Sequence, residues 1–239
     1  TSYKQKDLIQ KFNIRLAKNA RLVLNFQFSE SSNINRFDKL SEKNDEGTLK
    51  YAEWYYGPQK RSFISSKFSF QGQRIFDRAD IIFAYQKIDE SRNKRKFDSS
   101  FLNVNDENLD VFSINSDFFK RIDKQKSITY GFELTNNQLN SNGYQSSINS
   151  NDISKSISRY PNDGSSYKSV AGYFNYKKFI NRKTNYDVGL RVSTINIRAN
   201  WDYDFFNPEY DDKYDTLFFQ QFDGLEMVNS SLTGSLGIV

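Results

Sequence analysis

Nine stretches of the sequence alternate apolar and polar residues with a period of two, and the connections between them alternate short and long. The clearest stretch is "RLVLNFQFS", where Leu22, Leu24, Phe26 and Phe28 fall on one side and Arg21, Val23, Asn25, Gln27 and Ser29 on the other. "SITYGFELT" separates Ile128, Tyr130, Phe132 and Leu134 from Thr129, Gly131, Glu133 and Thr135. "YDVGLRVS" separates Tyr186, Val188, Leu190 and Val192 from Asp187, Gly189, Arg191 and Ser193. This period is that of a strand, whose successive side chains point to opposite faces. The pattern predicts strands over 8–15, 20–29, 48–70, 78–88, 108–119, 126–139, 166–180, 184–200 and 227–239. The segment 48–70 contains Gly57-Pro58. Proline cannot donate to a β-ladder, so a bend, break or bulge is expected there.

The short connections fall near 16–19, 71–77, 120–125 and 181–183, and the long ones near 30–47, 89–107, 140–165 and 201–226. In an antiparallel meander that alternation puts every long connection at one end, as in outer-membrane barrels with tight turns on one side and long loops on the other. Charge points the same way. The apolar sides of 22–28, 79–85, 128–134 and 186–192 carry no charged residue, whereas the opposite sides carry Arg21, Asp80, Glu133, Asp187 and Arg191. A barrel's lipid face tolerates charge poorly at mid-depth, while its lumen meets water. Tyr56, Tyr85, Tyr186 and Trp201 lie near strand ends, where amphipathic rings favour a membrane interface. The expected fold is all-β, a portion of an antiparallel transmembrane barrel. A soluble sheet with one wet face alternates equally well and stays open at this point.

Composition narrows the chemistry. The 239 residues include no cysteine and no histidine. Disulfides, thiolate metal sites and histidine-based triads are therefore excluded, and no carboxylates are placed for glycosidase work. No enzyme, cofactor or metal site is expected. A mean hydropathy of −0.77 does not argue against a membrane barrel, because alternation averages the two faces. The net charge of +5 mixes 34 bases with 29 acids, which is not the concentrated patch of a nucleic-acid reader. "RNKRK" (Arg92–Lys96) reads as a solvated basic run in a long loop, able to meet lipopolysaccharide. "WDYDFFNPEYDDKYD" (Trp201–Asp215) is acidic but lacks the glycine and terminal glutamate of a calcium loop.

"AEWYYGPQKR" (Ala52–Arg61) resembles a segment in the barrels of TonB-dependent outer-membrane receptors, particularly haem/haemoglobin-type and related receptors of Bacteroidota-like bacteria. "QFSESSNINRFDKL" (Gln27–Leu40), "YQKIDESRNKRKF" (Tyr85–Phe97), "SRYPNDGSSY" (Ser158–Tyr167) and "SSLTGSLGIV" (Ser230–Val239) resemble the same family in the same order. The resemblance implies a 22-stranded barrel filled by an N-terminal plug. About nine strands make 1–239 a middle portion of that barrel, with the plug and the C-terminal strands outside it. It also implies active uptake of a scarce ligand across the outer membrane of a Gram-negative bacterium. That ligand is an iron chelate, haem or a cobalamin-like compound, and the TonB complex acts through the plug. A passive porin or a surface adhesion barrel is the alternative. The absence of histidine from these residues weighs against haem, although tyrosine can serve as an axial ligand and histidine can lie in the parts of the barrel outside them. Lipid and lipopolysaccharide are expected partners and nucleic acid is not. The expected ligand-binding residues are Trp54, Tyr55, Tyr56 and Tyr160, with a place in the aromatic girdle as the plainer role for the first three and a simple turn for the last.

Overall fold

The computed structural model describes residues 2–150, 152–181, 184–201 and 224–238. Nine strands form one continuous antiparallel path: β1 (Gln5–Ala17), β2 (Ala20–Ser31), β5 (Lys60–Gln71), β6 (Arg78–Lys96), β7 (Phe101–Arg121), β8 (Lys126–Ser147), β10 (Ser165–Phe179), β11 (Asn185–Ala199) and β12 (Leu225–Ile238). Three short strands lie off that path: β3 (Ile34–Asn35), β4 (Tyr51–Tyr56) and β9 (Ile153–Ser156). A single helical turn, α1 (Phe37–Leu40), follows β3. The described residues thus hold twelve strands, and the nine expected ones are the path.

Cross-strand partners share a face, so register fixes the two surfaces of the sheet. One row runs Phe12, Leu24, Ser66, Phe83, Ile114, Leu134, Val170, Thr194 and Ser230. The row through Leu190 on the same face adds Phe70, Ala79, Phe118, Tyr130 and Phe174. The other face carries Arg15, Arg21, Ser69, Asp80, Asp117, Gly131, Tyr173, Arg191 and Thr233 in one row. Its polar groups are paired with one another. Arg191 meets Glu133 at 2.5 Å, Lys67 meets Asp80 at 3.2 Å, and Tyr173 donates its hydroxyl to Asp117. The segregation of charge expected from the sequence is therefore what the register produces.

Burial decides between the two readings of the alternation. The only buried apolar residues among those described are Ala79, Val104, Ala171 and Ala199. Leu190 is 54% exposed, Val192 57% and Leu232 70%. A soluble sandwich would cover such a face with a second layer about 10 Å away. Among the described residues no second layer covers this face, which fits a barrel wall whose apolar side lipid removes from water. The polar face becomes the inner one.

All the long connections leave at one end because each neighbour in the path is antiparallel and sequential. The connection across 200–224 leaves after Ala199 and returns at Leu225, which are register partners at that same end. The other end is closed by tight turns tied to one another. Gln71 N donates to Asn19 O, Asp77 N to Phe119 O, and Phe179 N to Gln125 O, at 2.8–2.9 Å. Aromatic rings gather there on the apolar face. Phe118 stacks on Tyr130 with centroids 5.1 Å apart, and Tyr176 meets Tyr186 at 6.3 Å.

Much of two expected loops is instead strand. β6, β7 and β8 run on through 89–96, 101–107 and 140–147, leaving only a short tip at 97–100. Ordinary loop composition hid this. Outward polar residues such as Lys87, Asp110 and Gln138, which share a row, mark where the apolar band stops rather than where the strand stops. In water, such a ribbon has no reason to be apolar on either side. The predicted strand 48–70 divides into β4 and β5 across a cis Gly57-Pro58 bond.

Candidate functional site at the long-loop end

The aromatic run of β4 owes its orientation to one extra residue. Tyr56 lies opposite Arg92, whereas Lys60 lies opposite Asp89. Four steps on one chain therefore match three on the other, which is a bulge. Because side chains alternate, that single insertion reverses the faces of the two segments. Lys60 and Ser62 belong to the outer face, yet Trp54 and Tyr56 belong to the inner one, with Lys94 and Arg92. Gly57 makes the step possible. Its φ is +114°, and a Cβ there would lie 3.1 Å from the carbonyl of Ser32. The step is pinned by Gly57 N to Ser91 O at 3.0 Å and by Ser91 Oγ to Gly57 O at 2.6 Å.

Trp54 and Tyr56 meet edge to face, with centroids 5.1 Å apart. The Arg36 guanidinium lies 4.8 Å from the Trp54 ring centroid and donates to the Tyr56 hydroxyl at 2.6 Å. Arg92 lies 5.0 Å from the Tyr56 ring. Such cation–aromatic contacts add about 0.5–2 kcal/mol each, depending on exposure. Arg36 also pairs with Asp38 and holds that carboxyl down to about 2. Tyr55 points the opposite way, opposite Asn93 on the outer face, where burial raises its hydroxyl above the ordinary tyrosine value. The structure thus brings Trp54 and Tyr56 together and sets Tyr55 apart.

Tyr160 arrives from the connection between β8 and β10. Its amide donates to Ser141 Oγ at 3.3 Å, and the Arg159 guanidinium lies 4.9 Å from its ring. The adjoining residues Ile157, Ser158 and Arg159 close a cleft of about 330 Å³ against Trp54, Arg92, Asn93, Lys94 and Asn105. Trp54 and the neighbourhood of Tyr160, 106 positions apart in the chain, thus share one cleft.

The basic run is exposed at Lys94 and Lys96, as expected of a solvated run, but it is not a loop. It is strand, and its alternation divides it. Arg95 faces outward and pairs with Glu53 at 2.8 Å, while Arg92, Lys94 and Lys96 face inward. Sequence reading missed this because the run has no apolar alternation. The two-residue spacing of the inward cations, in phase with Ile82 and Ala84 further down the same strand, was the available signal. Sequence reading also missed Glu107, which is 3% exposed with both carboxylate oxygens lacking a hydrogen-bond partner. Glu107 lies opposite Glu90 and Ser141, beyond the apolar band. Burial pushes its carboxyl up to about 7, with Arg159 and Arg92 opposing the rise and Glu90 and Asp106 adding to it. The acidic stretch Asp202–Asp215 lies outside the described residues. No group of potential metal ligands is found among the described residues.

A single sheet with an unlayered apolar face, a paired polar face, tight turns at one end and tall ribbons at the other is a length of transmembrane barrel wall. No protein-family model and no curated protein sequence matches the chain. Solved structures do. The copper transporter OprC aligns at 8% identity with a TM-score of 0.64, over 99% of this chain and 34% of its own. The ferric citrate transporter FecA aligns at 14% identity and 0.62, over 99% and 33%. The FrpB iron transporter from Neisseria meningitidis aligns at 12% identity and 0.63, over 98% and 34%. The fold is that of part of a TonB-dependent outer-membrane receptor barrel, and the chain spans about a third of the length of these structures.

Proposed function

We propose that the chain is part of the wall of a TonB-dependent receptor that imports a scarce nutrient across the outer membrane of a Gram-negative bacterium. On this reading 1–239 is a middle portion of the barrel, and the plug and C-terminal strands lie outside it. The TonB complex acts through the plug, and lipid and lipopolysaccharide surround the outer face. The protein is a receptor and not an enzyme, and nucleic acid is not a partner. The observation that carries the proposal is the cleft of Trp54, Arg92, Lys94 and Ile157–Arg159, which faces inward at the end where all the long connections emerge. Aromatic faces offer rigid contact area at low entropic cost, and inward cations favour an anionic group. An iron chelate, haem or a cobalamin-like compound is the ligand class. Among these, the inward cations Arg92 and Lys94 favour an anionic chelate.

The test uses the full-length gene in its host. Cells are supplied at limiting concentration with a ferric chelate, haem or cobalamin in turn, with and without collapse of the inner-membrane proton gradient. One of the three is expected to depend on both the gene and the gradient. Trp54→Ala with Tyr160→Ala should reduce that uptake about tenfold, equivalent to ~1.4 kcal/mol. Gene-dependent uptake that ignores the gradient would make the barrel a passive porin. No gene-dependent uptake, together with gene-dependent binding to surfaces, would make it an adhesin.

A further inference from the structure

The connection from β8 to β10 does not stay at the sheet edge. It turns back beyond Ser147 and runs as β9, with Ser156 opposite Gly143. It then crosses the inner face. A Cβ at Gly143 would lie 2.5 Å from the carbonyl oxygen of Ile157, so the crossing passes directly over that glycine. Further along, Tyr160 N bonds Ser141 Oγ and Arg159 Nη1 reaches Glu90 Oε1 at 3.6 Å. Beneath the crossing, Ser141 is fully buried and Glu107 nearly so. Glu107 faces Glu90 and Arg92 from β6, uncharged Ser141 from β8 and Arg159 from the crossing segment, with Asp106 its neighbour in the chain. Neither Glu107 oxygen nor Arg92 Nε has a hydrogen-bond partner.

We propose that residues 157–164 form a proton-operated strap, lying on the inner face while Glu107 is protonated and lifting from it when Glu107 ionises. A neutral carboxyl tolerates burial far better than a carboxylate does. An ionised Glu107 also stands directly opposite another glutamate, an arrangement that destabilises a strand pair. Arg92 and Arg159 offset part of that cost, but Arg159 belongs to the strap and its hold on Glu90 is long. Lifting the strap lets water reach Glu107 and opens the cleft against Trp54.

The sign follows from linkage. Closed, the strap holds the Glu107 proton up to about pH 7, while an exposed glutamate releases it near 4.5. Closure is therefore strongest below 4.5 and weakens as pH rises. The lifted fraction grows about tenfold per pH unit between these values and levels off above 7. The proposal concerns the strap alone and holds whatever ligand the receptor imports.

The full-length protein, in a background free of other cysteines, is spin-labelled at Ile157→Cys on the strap and Lys87→Cys on the outer face of β6. Distances between the labels are measured from about pH 5 to about pH 8. A second, longer distance is expected to gain population as pH rises. Glu107→Gln should stay closed throughout, and Arg159→Ala should favour the longer distance at every pH. Normal heat-modifiable migration of each variant shows that the barrel has folded. One distance distribution common to both pH extremes would overturn the proposal. So would a Glu107→Gln variant that responds to pH like the parent.

Discussion

At the scale of single residues, the inner face is organised by what glycine leaves open. Gly131 sits between Asp117 and Tyr173 in one register row. A Cβ there would lie 1.9 Å from the backbone oxygen of Ser116 and 2.6 Å from the Tyr173 hydroxyl. The tyrosine therefore lies across the bare backbone and reaches Asp117 beyond it, covering a strand glycine with an aromatic ring. Gly131→Val should prevent this and force the β7–β8 pair apart. A loss of about 1–3 kcal/mol is expected from overpacking. It should appear as a lower temperature for loss of the heat-modifiable form, while Gly172→Ala, whose added Cβ would meet nothing nearer than 4.0 Å, costs less. Gly131 was legible in the sequence only as a polar-side position. That a ring on the neighbouring strand covers it depends on register, which no local pattern encodes.

At the scale of elements, the bulge between β4 and β5 sets how the aromatic run joins the sheet. Removing Gln59 would leave three steps against three on β6, so Tyr56 keeps Arg92 and Trp54 keeps Lys94 opposite it, now without the bulge. The deletion variant should assemble in normal amount and keep uptake close to the parent's, unlike the Trp54→Ala, Tyr160→Ala variant. Loss of uptake in a normally assembled deletion variant would show that ligand capture needs the bulge itself and not only the inward facing of the aromatic run. The sequence foretold the break, because Gly57-Pro58 is conspicuous. The parity change was beyond it, since that needs the count on the partner strand. The extensions of β6, β7 and β8 were hidden for a related reason. Period-two alternation is written by the boundary between lipid and water, and these segments stand in water on both sides. Membrane-spanning parts such as 128–134 and 186–192 were readable because one of their faces has no choice.

At the scale of the whole molecule, the two ends of the sheet differ in what they expose. The tips at 97–100 and 148–150 belong to one end, and the turns at 72–77 and 122–125 to the other. Single cysteines at Ser99 and Asn149 in the full-length protein should react with a membrane-impermeant reagent on intact cells, while cysteines at Gln73 and Lys124 should react only after the outer membrane is opened. Labelling of Gln73 on intact cells would invert the assignment of ends. This asymmetry was the most legible property of the sequence, because connection lengths survive errors of a few residues in every strand boundary.

The hydrogen bonds that join one tight turn to the next have a mechanical meaning. They bind this rim like the hoop of a cask, so that no stave there can shift without its neighbour. The opposite rim is tied as well, by Ile148 N to Ser100 O at 2.9 Å and Asn200 N to Gly164 O at 3.0 Å, but its staves end at unequal heights. Deformation imposed on the wall is therefore shared between a level hoop at one rim and a stepped one at the other, where the strap and the cleft lie.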